Sequence, residues 1–277
     1  MPGFFTLTPD SLHHLLSRLM YKVARCPWRP WKNALIRLFI RKYRVDMDLA
    51  EKSSANDYMT FNDFFTRSLK PEARPISGAS NGFISPVDGH TGAAGTLDDD
   101  RLVQAKGKYY SLAELVHGDK DHVRYYQNGN FITLYLSPRD YHRVHIPADG
   151  ELVFMSYIPG RLFSVGPAHT RRIDRLFARN ERVITTFRSE TGMFSVIFVG
   201  AIFVGSVATT WHGQVAPAEK REYASWHYEP GISFARGDEI GRFNMGSTVI
   251  LLTEPGKVNW TVSGKQVTMG QVIGVSP

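Results

Sequence analysis

Residues 191–218 read TGMFSVIFVGAIFVGSVATTWHGQVAPA, a stretch without one Asp, Glu, Lys or Arg. How it folds decides the architecture. As a single helix it is long enough to cross a bilayer. Gly200 and Gly205 instead divide it into pieces of strand length, and Ser195, Val196, Ile197, Val199, Val204 and Val207 favour strand over helix. The expectation is therefore two buried strands. The flanking sequence agrees. From Gly82 onward, Gly and Pro punctuate short runs rich in Val, Ile, Phe and Tyr, at 131–136, 151–157, 182–187, 194–199 and 248–252. That pattern predicts a β-rich core with turns between strands.

Upstream the pattern changes. Leu12, Leu15, Leu16, Leu19 and Val23 follow a helical spacing, with Asp10 or Ser11 as the cap. Pro27 and Pro30 interrupt this helix. A second, basic helix is expected from Trp31 to Tyr43, with Leu35, Leu38 and Phe39 on one side and Lys32, Arg37, Arg41 and Lys42 elsewhere. A short helix is expected within 60–75, TFNDFFTRSLKPEARP, ending before Pro71. The fold class is α+β: N-terminal amphipathic helices (residues 1–60) followed by a β-rich catalytic domain (61–277).

The net charge of +7 is concentrated locally. From Ser11 to Val45 there are nine Lys or Arg and no Asp or Glu. Such a block suits nucleic acid or an anionic membrane surface. No zinc-finger or RNP-like pattern accompanies it, so no nucleic-acid partner is expected. Trp28 and Trp31 stand between the helices as interfacial anchors would. Two helices packed on the core and a monotopic membrane contact both fit this segment. The one cysteine, Cys26, excludes an internal disulfide framework and a Cys-rich zinc site. No secretory leader is expected, because no basic segment followed by an apolar run opens the sequence.

Three places carry chemistry. The first is Gly246-Ser247 in GRFNMGSTVILL. Ser247 does not sit in a hydrolase elbow G-x-S-x-G, but a glycine before a serine lets the backbone strain. The Ser247 hydroxyl can then attack the carbonyl of Gly246 and convert the amide to an ester. Elimination leaves dehydroalanine, and loss of ammonia leaves a pyruvoyl group. Tethering supplies effective concentration; a base and oxyanion donors are still required. The second is His142 and His145 in YHRVH, bracketed by Pro138 and Pro147 and read as a fixed loop. A third metal ligand is not evident beside them, and an imidazole titrates near neutrality, which suits a base. The third is Asp88 in SPVDGH, either a simple turn former or the orienting carboxylate of an Asp-His-Ser relay.

In combination the segments FNDFFTRSLKPEARP, SPVDG, QAKGKYYSL, YLSPRDYHRVHIP, PGRLFSV, LFARNERV and GRFNMGSTVILL resemble those of bacterial, membrane-associated phosphatidylserine decarboxylases. The resemblance implies self-cleavage between Gly246 and Ser247 into a large (1–246) and a small (247–277) chain. It implies that Ser247 becomes the pyruvoyl cofactor, with no metal. Asp88, His145 and Ser247 match the family's processing triad, and His142 matches the histidine implicated in decarboxylation. Met245 stands where members often have leucine, a swap that keeps size and apolarity. The resemblance further implies a homodimer on the cytoplasmic face of the inner membrane, acting on phosphatidylserine. A serine hydrolase, a non-catalytic membrane module and a decarboxylase of a soluble amino acid are the competing readings.

Overall fold

The computed structural model of the chain describes residues 19–78, 81–202, 206–216, 218, 220–244 and 247–277, the Ser247 side chain excepted. Asp10, Ser11, Leu12, Leu15, Leu16, Val204, Gly205, Met245 and Gly246 lie outside the described residues. In chain order the strands are β1 (Gly82–Ile84), β2 (Gly89–Thr96), β3 (Arg101–Ala105), β4 (Lys108–Ser111), β5 (Asn130–Leu136), β6 (Arg143–His145), β7 (Gly150–Ile158), β8 (Arg182–Ser189) and β9 (Gly192–Val199). They continue with β10 (Val207–Thr209), β11 (Gly213–Ala216), β12 (Ala224–Phe234), β13 (Glu239–Phe243), β14 (Ser247–Thr253), β15 (Asn259–Trp260), β16 (Gln266–Val267) and β17 (Val272–Val275).

The charge-free stretch supplies β9, β10 and β11, so it folds as strands. β9 is central in an eight-stranded sheet of order β12-β7-β8-β9-β14-β5-β2-β16, whose neighbouring strands pair antiparallel. Phe194 to Val199 and Val249 to Leu252 are buried on both faces, which is why they read as continuous apolar runs. A four-stranded sheet of order β11-β10-β13-β6 carries the YHRVH segment, and a three-stranded sheet joins β1, β17 and β15. Among the described residues no helix is long and apolar enough to cross a membrane.

The N-terminal part packs around its own apolar cluster, in which Ala24, Ile36, Val45 and Tyr58 meet Phe61, Phe64 and Phe65. Its main helix is Arg29–Tyr43, starting two residues earlier than the sequence suggests because Pro30 is accommodated in the first turn. Two expectations for this helix change. Lys32 is buried, with Nζ donating to the Ala55 carbonyl at 2.9 Å and to Asn33 Oδ1 at 2.7 Å. Leu38 faces outward at 62% exposure, while Ile36 takes the inward position. The helix expected within 60–75 is only Phe61–Phe65, capped by Thr60, whose hydroxyl accepts from Asp63 N. Thr66 ends it by donating to the Asn62 carbonyl, and Leu69 then bridges to Ala50. The YHRVH segment is not a free loop: Arg143–His145 is a strand paired with β13.

Candidate active site

Asp88 sits in the turn between β1 and β2. Gly89 follows because a Cβ there would lie 2.5 Å from the Tyr135 carbonyl oxygen, so only glycine lets β2 close onto β5. The carboxylate is buried and fully engaged. Arg74 grips it with a fork, Nε to Oδ1 at 2.7 Å and Nη2 to Oδ2 at 2.5 Å, and Met269 N donates to Oδ1 at 2.9 Å. The segment 74–77 is held against 268–271, with Ser77 N donating to the Gly270 carbonyl. A hydrogen bond from Asp88 to His145, which a relay requires, is not among the described contacts. The Arg74 fork occupies both carboxylate oxygens instead.

His145 is nevertheless close by, since its backbone N–H donates to the Pro86 carbonyl at 2.9 Å. Its Nδ1 faces the Gly237 carbonyl at 2.7 Å, which obliges Nδ1 to carry the proton. Nε2 is then the acceptor, and the Tyr141 hydroxyl donates to it at 3.0 Å. Burial lowers the His145 pKa, opposed by the Gly237 bond and the nearby carboxylates of Glu239 and Asp88. Burial also raises the Tyr141 pKa, so the hydroxyl keeps its proton.

His142 has no exposed surface and packs on Phe65, ring centroids 4.0 Å apart. Nδ1 donates to the Asp140 carbonyl at 2.7 Å, leaving Nε2 a bare acceptor, buried and without a partner among the described residues. Burial pulls its pKa down to about 3, with Arg67 pushing the same way. His142 is therefore neutral at pH 7. Its carbonyl accepts from Phe243 N, which places it beside the end of β13, four residues before Ser247 in the sequence.

The FNDFFTRS segment cradles this region. Phe65 packs on His142, the Thr66 carbonyl accepts from Arg143 Nε at 2.9 Å, and Ser68 Oγ accepts from Arg143 Nη2 at 2.6 Å. Arg67 is 5% exposed and donates through Nη2 to the Arg139 carbonyl at 2.9 Å. Its Nε and Nη1 are buried without partners among the described residues. Sequence reasoning alone does not single out Arg67, Arg74 or Tyr141. For the two arginines the available signal is a charged residue inside an otherwise apolar or proline-rich segment; Tyr141 carries none beyond its place beside His142.

The residues flanking the Gly246-Ser247 bond are fixed on both sides. Asn244 N and Nδ2 donate to the Ser206 carbonyl and hydroxyl, and its Oδ1 accepts from Asn62 Nδ2 at 3.1 Å. Ser247 begins β14 opposite Leu136, and Thr248 lies between Tyr135 and Val199. Thr248 Oγ1 is buried without a described partner and lines a cavity of about 460 Å³ with Tyr135, Ser137, Arg139, His90 and Val165. A second cavity of about 410 Å³, containing Arg67, Arg74, Asp88 and Tyr141, shares Arg139, Asp140 and Gln266 with the first. The orphaned Thr248 hydroxyl at the start of β14 has a proton to donate, which fits a small carbonyl-bearing group at position 247, while His142 Nε2 is left as a free acceptor for a donor group. Among the described residues no group of three or more His, Cys, Asp or Glu could hold a metal ion.

Comparison with known proteins bears on this site. Residues 61–275 match the family model described as phosphatidylserine decarboxylase, and residues 13–44 match a model described as PSD. The chain is 47% identical to a phosphatidylserine decarboxylase proenzyme of Methylococcus capsulatus, over 94% of this chain and 92% of that protein. It is 48% identical to the proenzyme of Nitrosococcus oceani, over 94% of this chain and 86% of the relative. With the proenzyme of Hahella chejuensis it shares 44% identity over 97% of this chain and 90% of the relative.

Proposed function

The chain belongs to the phosphatidylserine decarboxylase family, and from that premise we propose roles for the residues of its site. The activity is pyruvoyl-dependent decarboxylation of phosphatidylserine to phosphatidylethanolamine and CO₂, after self-cleavage of a proenzyme into a large and a small chain. In our reading the cleaved bond is Gly246-Ser247 and Ser247 is the source of the pyruvoyl group. The observation that supports this is the fixing of Asn244 on one side and Thr248 on the other of that bond. His145 is the base for the Ser247 hydroxyl: its Nε2 lone pair is aimed by the Gly237 bond at Nδ1, and the hydroxyl that it would deprotonate takes the place of the Tyr141 hydroxyl as its donor. Asp88, locked by Arg74, supplies a fixed negative charge beside it.

The pyruvoyl group supplies the electron sink that decarboxylation needs. His142 handles the proton. Its fixed tautomer presents an unprotonated Nε2 in a dry pocket, suited to take the proton that the serine head-group amine must shed. The same atom returns that proton to the head-group carbon after CO₂ leaves. With a pKa of about 3 in the free protein His142 is a weak base, so this transfer draws on the head-group carboxylate, whose charge raises the basicity of the imidazole.

The N-terminal region (1–60) is the membrane-contacting part and 61–277 the catalytic part. Trp28, Trp31 and Leu38 form an outward apolar stripe, 65%, 43% and 62% exposed, beside Arg37, Arg41 and Lys42. That arrangement suits peripheral docking on an anionic leaflet, hence the cytoplasmic face of the inner membrane. The outer edge of β12, at the end of the eight-stranded sheet, supports a homodimer as the means of covering it.

Intact-mass measurement tests the assignment. The wild-type chain is expected as two fragments, the smaller starting at position 247, and Ser247→Ala as one species of the full 31.3 kDa with no CO₂ release. A cut elsewhere, or cleavage surviving in Ser247→Ala, sinks it.

A further inference from the structure

Arg67 is unexplained by the roles above. A guanidinium stays charged in a protein and carries five N–H donors. This one is 5% exposed, and among the described residues its one hydrogen bond is to the Arg139 carbonyl. Nε and Nη1 are buried and unpartnered. The nearest carboxylates are committed elsewhere: Asp88 to Arg74 and Met269 N, and Asp140 to the Ser137 N–H at 2.7 Å. No ion pair joins Arg67 to a described carboxylate. A buried charge left in this state is strongly destabilising unless an anion completes it.

The surroundings say where that anion sits. Arg67 lines the cavity of about 410 Å³ with Arg44, Arg74 and Arg139, a size within the range of small-ligand sites. Arg139, Asp140 and Gln266 connect this cavity to the one beside Thr248. An anion held by Arg67 therefore lies in the cavity adjoining the one that Thr248 lines.

We propose that Arg67 is the anion-recognition residue of the site, donating its unpartnered N–H groups to the phosphodiester oxygens of the phosphatidylserine head group. The inference rests on the decarboxylase reading and on cleavage at Gly246-Ser247. The head group carries a second anion, its carboxylate, and the chemistry separates the two. The charge of the carboxylate must flow away as CO₂ leaves, so a guanidinium on it would stabilise the ground state and slow the reaction. The phosphodiester keeps its charge throughout, so a bond to it is equally strong before and during the reaction. Such uniform binding sets KM and leaves kcat alone.

The test uses the full-length wild type with Arg67→Lys and Arg67→Gln, each checked by mass for the two fragments. With phosphatidylserine in mixed micelles, KM is expected to rise roughly 10- to 100-fold in R67Q, the loss of one or two charge-assisted hydrogen bonds, with kcat within about twofold. R67K should fall between, because an ammonium does not reproduce a guanidinium fork; it carries the comparison if R67Q does not fold. Glycerophosphoethanolamine should inhibit the wild type competitively and lose roughly tenfold in potency against R67Q, the cost of about one such bond, while ethanolamine, which lacks the phosphodiester, is unaffected by the change. A fall in kcat at constant KM, or equal inhibition of both forms by glycerophosphoethanolamine, overturns the proposal. So does inorganic phosphate showing the same Arg67-dependent potency, which would make the site one for free phosphate. Non-competitive activation by phosphatidylglycerol that R67Q loses would assign the anion to a second lipid and overturn it too. Absence of cleavage at position 247 in the wild type would fail the underlying reading instead, and hydroxylamine inactivation of the processed enzyme reports that separately.

Discussion

Arg74→Met, made in a cleavage-arrested Ser247→Ala background, isolates the Arg74-Asp88 pair. Both side chains are largely shielded, 14% and 9% exposed, and the pair has two short hydrogen bonds. Removing one partner of a buried pair leaves an uncompensated charge and costs about 3–5 kcal/mol. The Met269 N–H remains to the carboxylate, which places the expectation at about 3 kcal/mol. For a chain of this length that is a fall in Tm of roughly 6–12 °C. Asp88→Asn alone should cost less, because the amide oxygen still accepts from Arg74. The double variant should recover part of the loss, giving a coupling of about 1–3 kcal/mol. Differential scanning fluorimetry and urea unfolding of all four proteins measure the cycle. A Tm within about 2 °C of the parent for R74M, or coupling under about 0.5 kcal/mol, refutes the energetic reasoning. With Ser247 restored, the same substitution reports on mechanism. If the clamp holds Asp88 where cleavage needs it, R74M slows the appearance of the small chain. Faster cleavage would show that Arg74 is a lock from which Asp88 must escape to reach His145.

Acid stability and membrane binding give two further tests. His142 has a folded pKa of about 3, below the roughly 6.5 of a free imidazole, so the unfolded chain takes up its proton first as pH falls. The stability associated with this group is complete above about pH 6.5 and is lost progressively toward pH 3, by about 2 kcal/mol at pH 5; His145 is shifted in the same direction. Denaturation midpoints between pH 7 and 5 should flatten in a His142→Gln variant, and an unchanged slope would contradict the burial argument. At the membrane, Trp31→Ala with Leu38→Ala should weaken binding to anionic vesicles by about 2 kcal/mol, roughly 30-fold, without affecting cleavage; unchanged sedimentation with vesicles would remove the stripe from the contact.

The legible parts of the fold were those in which a residue's own neighbours in sequence set its environment. Phe194 to Val199 reads as a buried strand because both of its faces are covered, so no alternation is needed to see it. The DG and GS dipeptides and the YHRVH cluster pointed to the site for the same local reason. What stayed hidden depends on long-range pairing. Arg67 contacts a carbonyl 72 residues away, and Lys32 one 23 residues away, so nothing beside either in sequence announces its burial. Leu38 was expected on the apolar side, but helix Arg29–Tyr43 turns Ile36 inward and leaves Leu38 to an outer surface. The chain after the helix is extended where Leu69 bridges to Ala50, again a distant partner.

If Gly246-Ser247 is the bond cut, as proposed, the position of Ser247 within the sheet also constrains the fate of the small chain. β14 runs between β5 and β9, so the small chain is built into the middle of the eight-stranded sheet. The same chain supplies β16 against β2 and β17 against β1. Separating it requires opening the sheet on both sides of β14 and stripping the cover from Val249 to Leu252. Four such side chains at about 1.5–3 kcal/mol each make dissociation negligible in water. Cleavage at the proposed bond would place the chemistry where the sheet loses least. A pyruvoyl group has no amide N–H, and residue 247 is paired with β5 alone, whereas pairing with β9 begins at Thr248. A donor lost one residue later would come from a position flanked on both sides. The two fragments are therefore expected to elute together in native size exclusion at the mass of the intact chain or a multiple of it, and to separate only in denaturant, in one transition with the loss of β-sheet circular dichroism. Release of the small chain while the circular dichroism remained native would show that β14 is not integral to the sheet, and would remove the structural reason for cutting at its first residue.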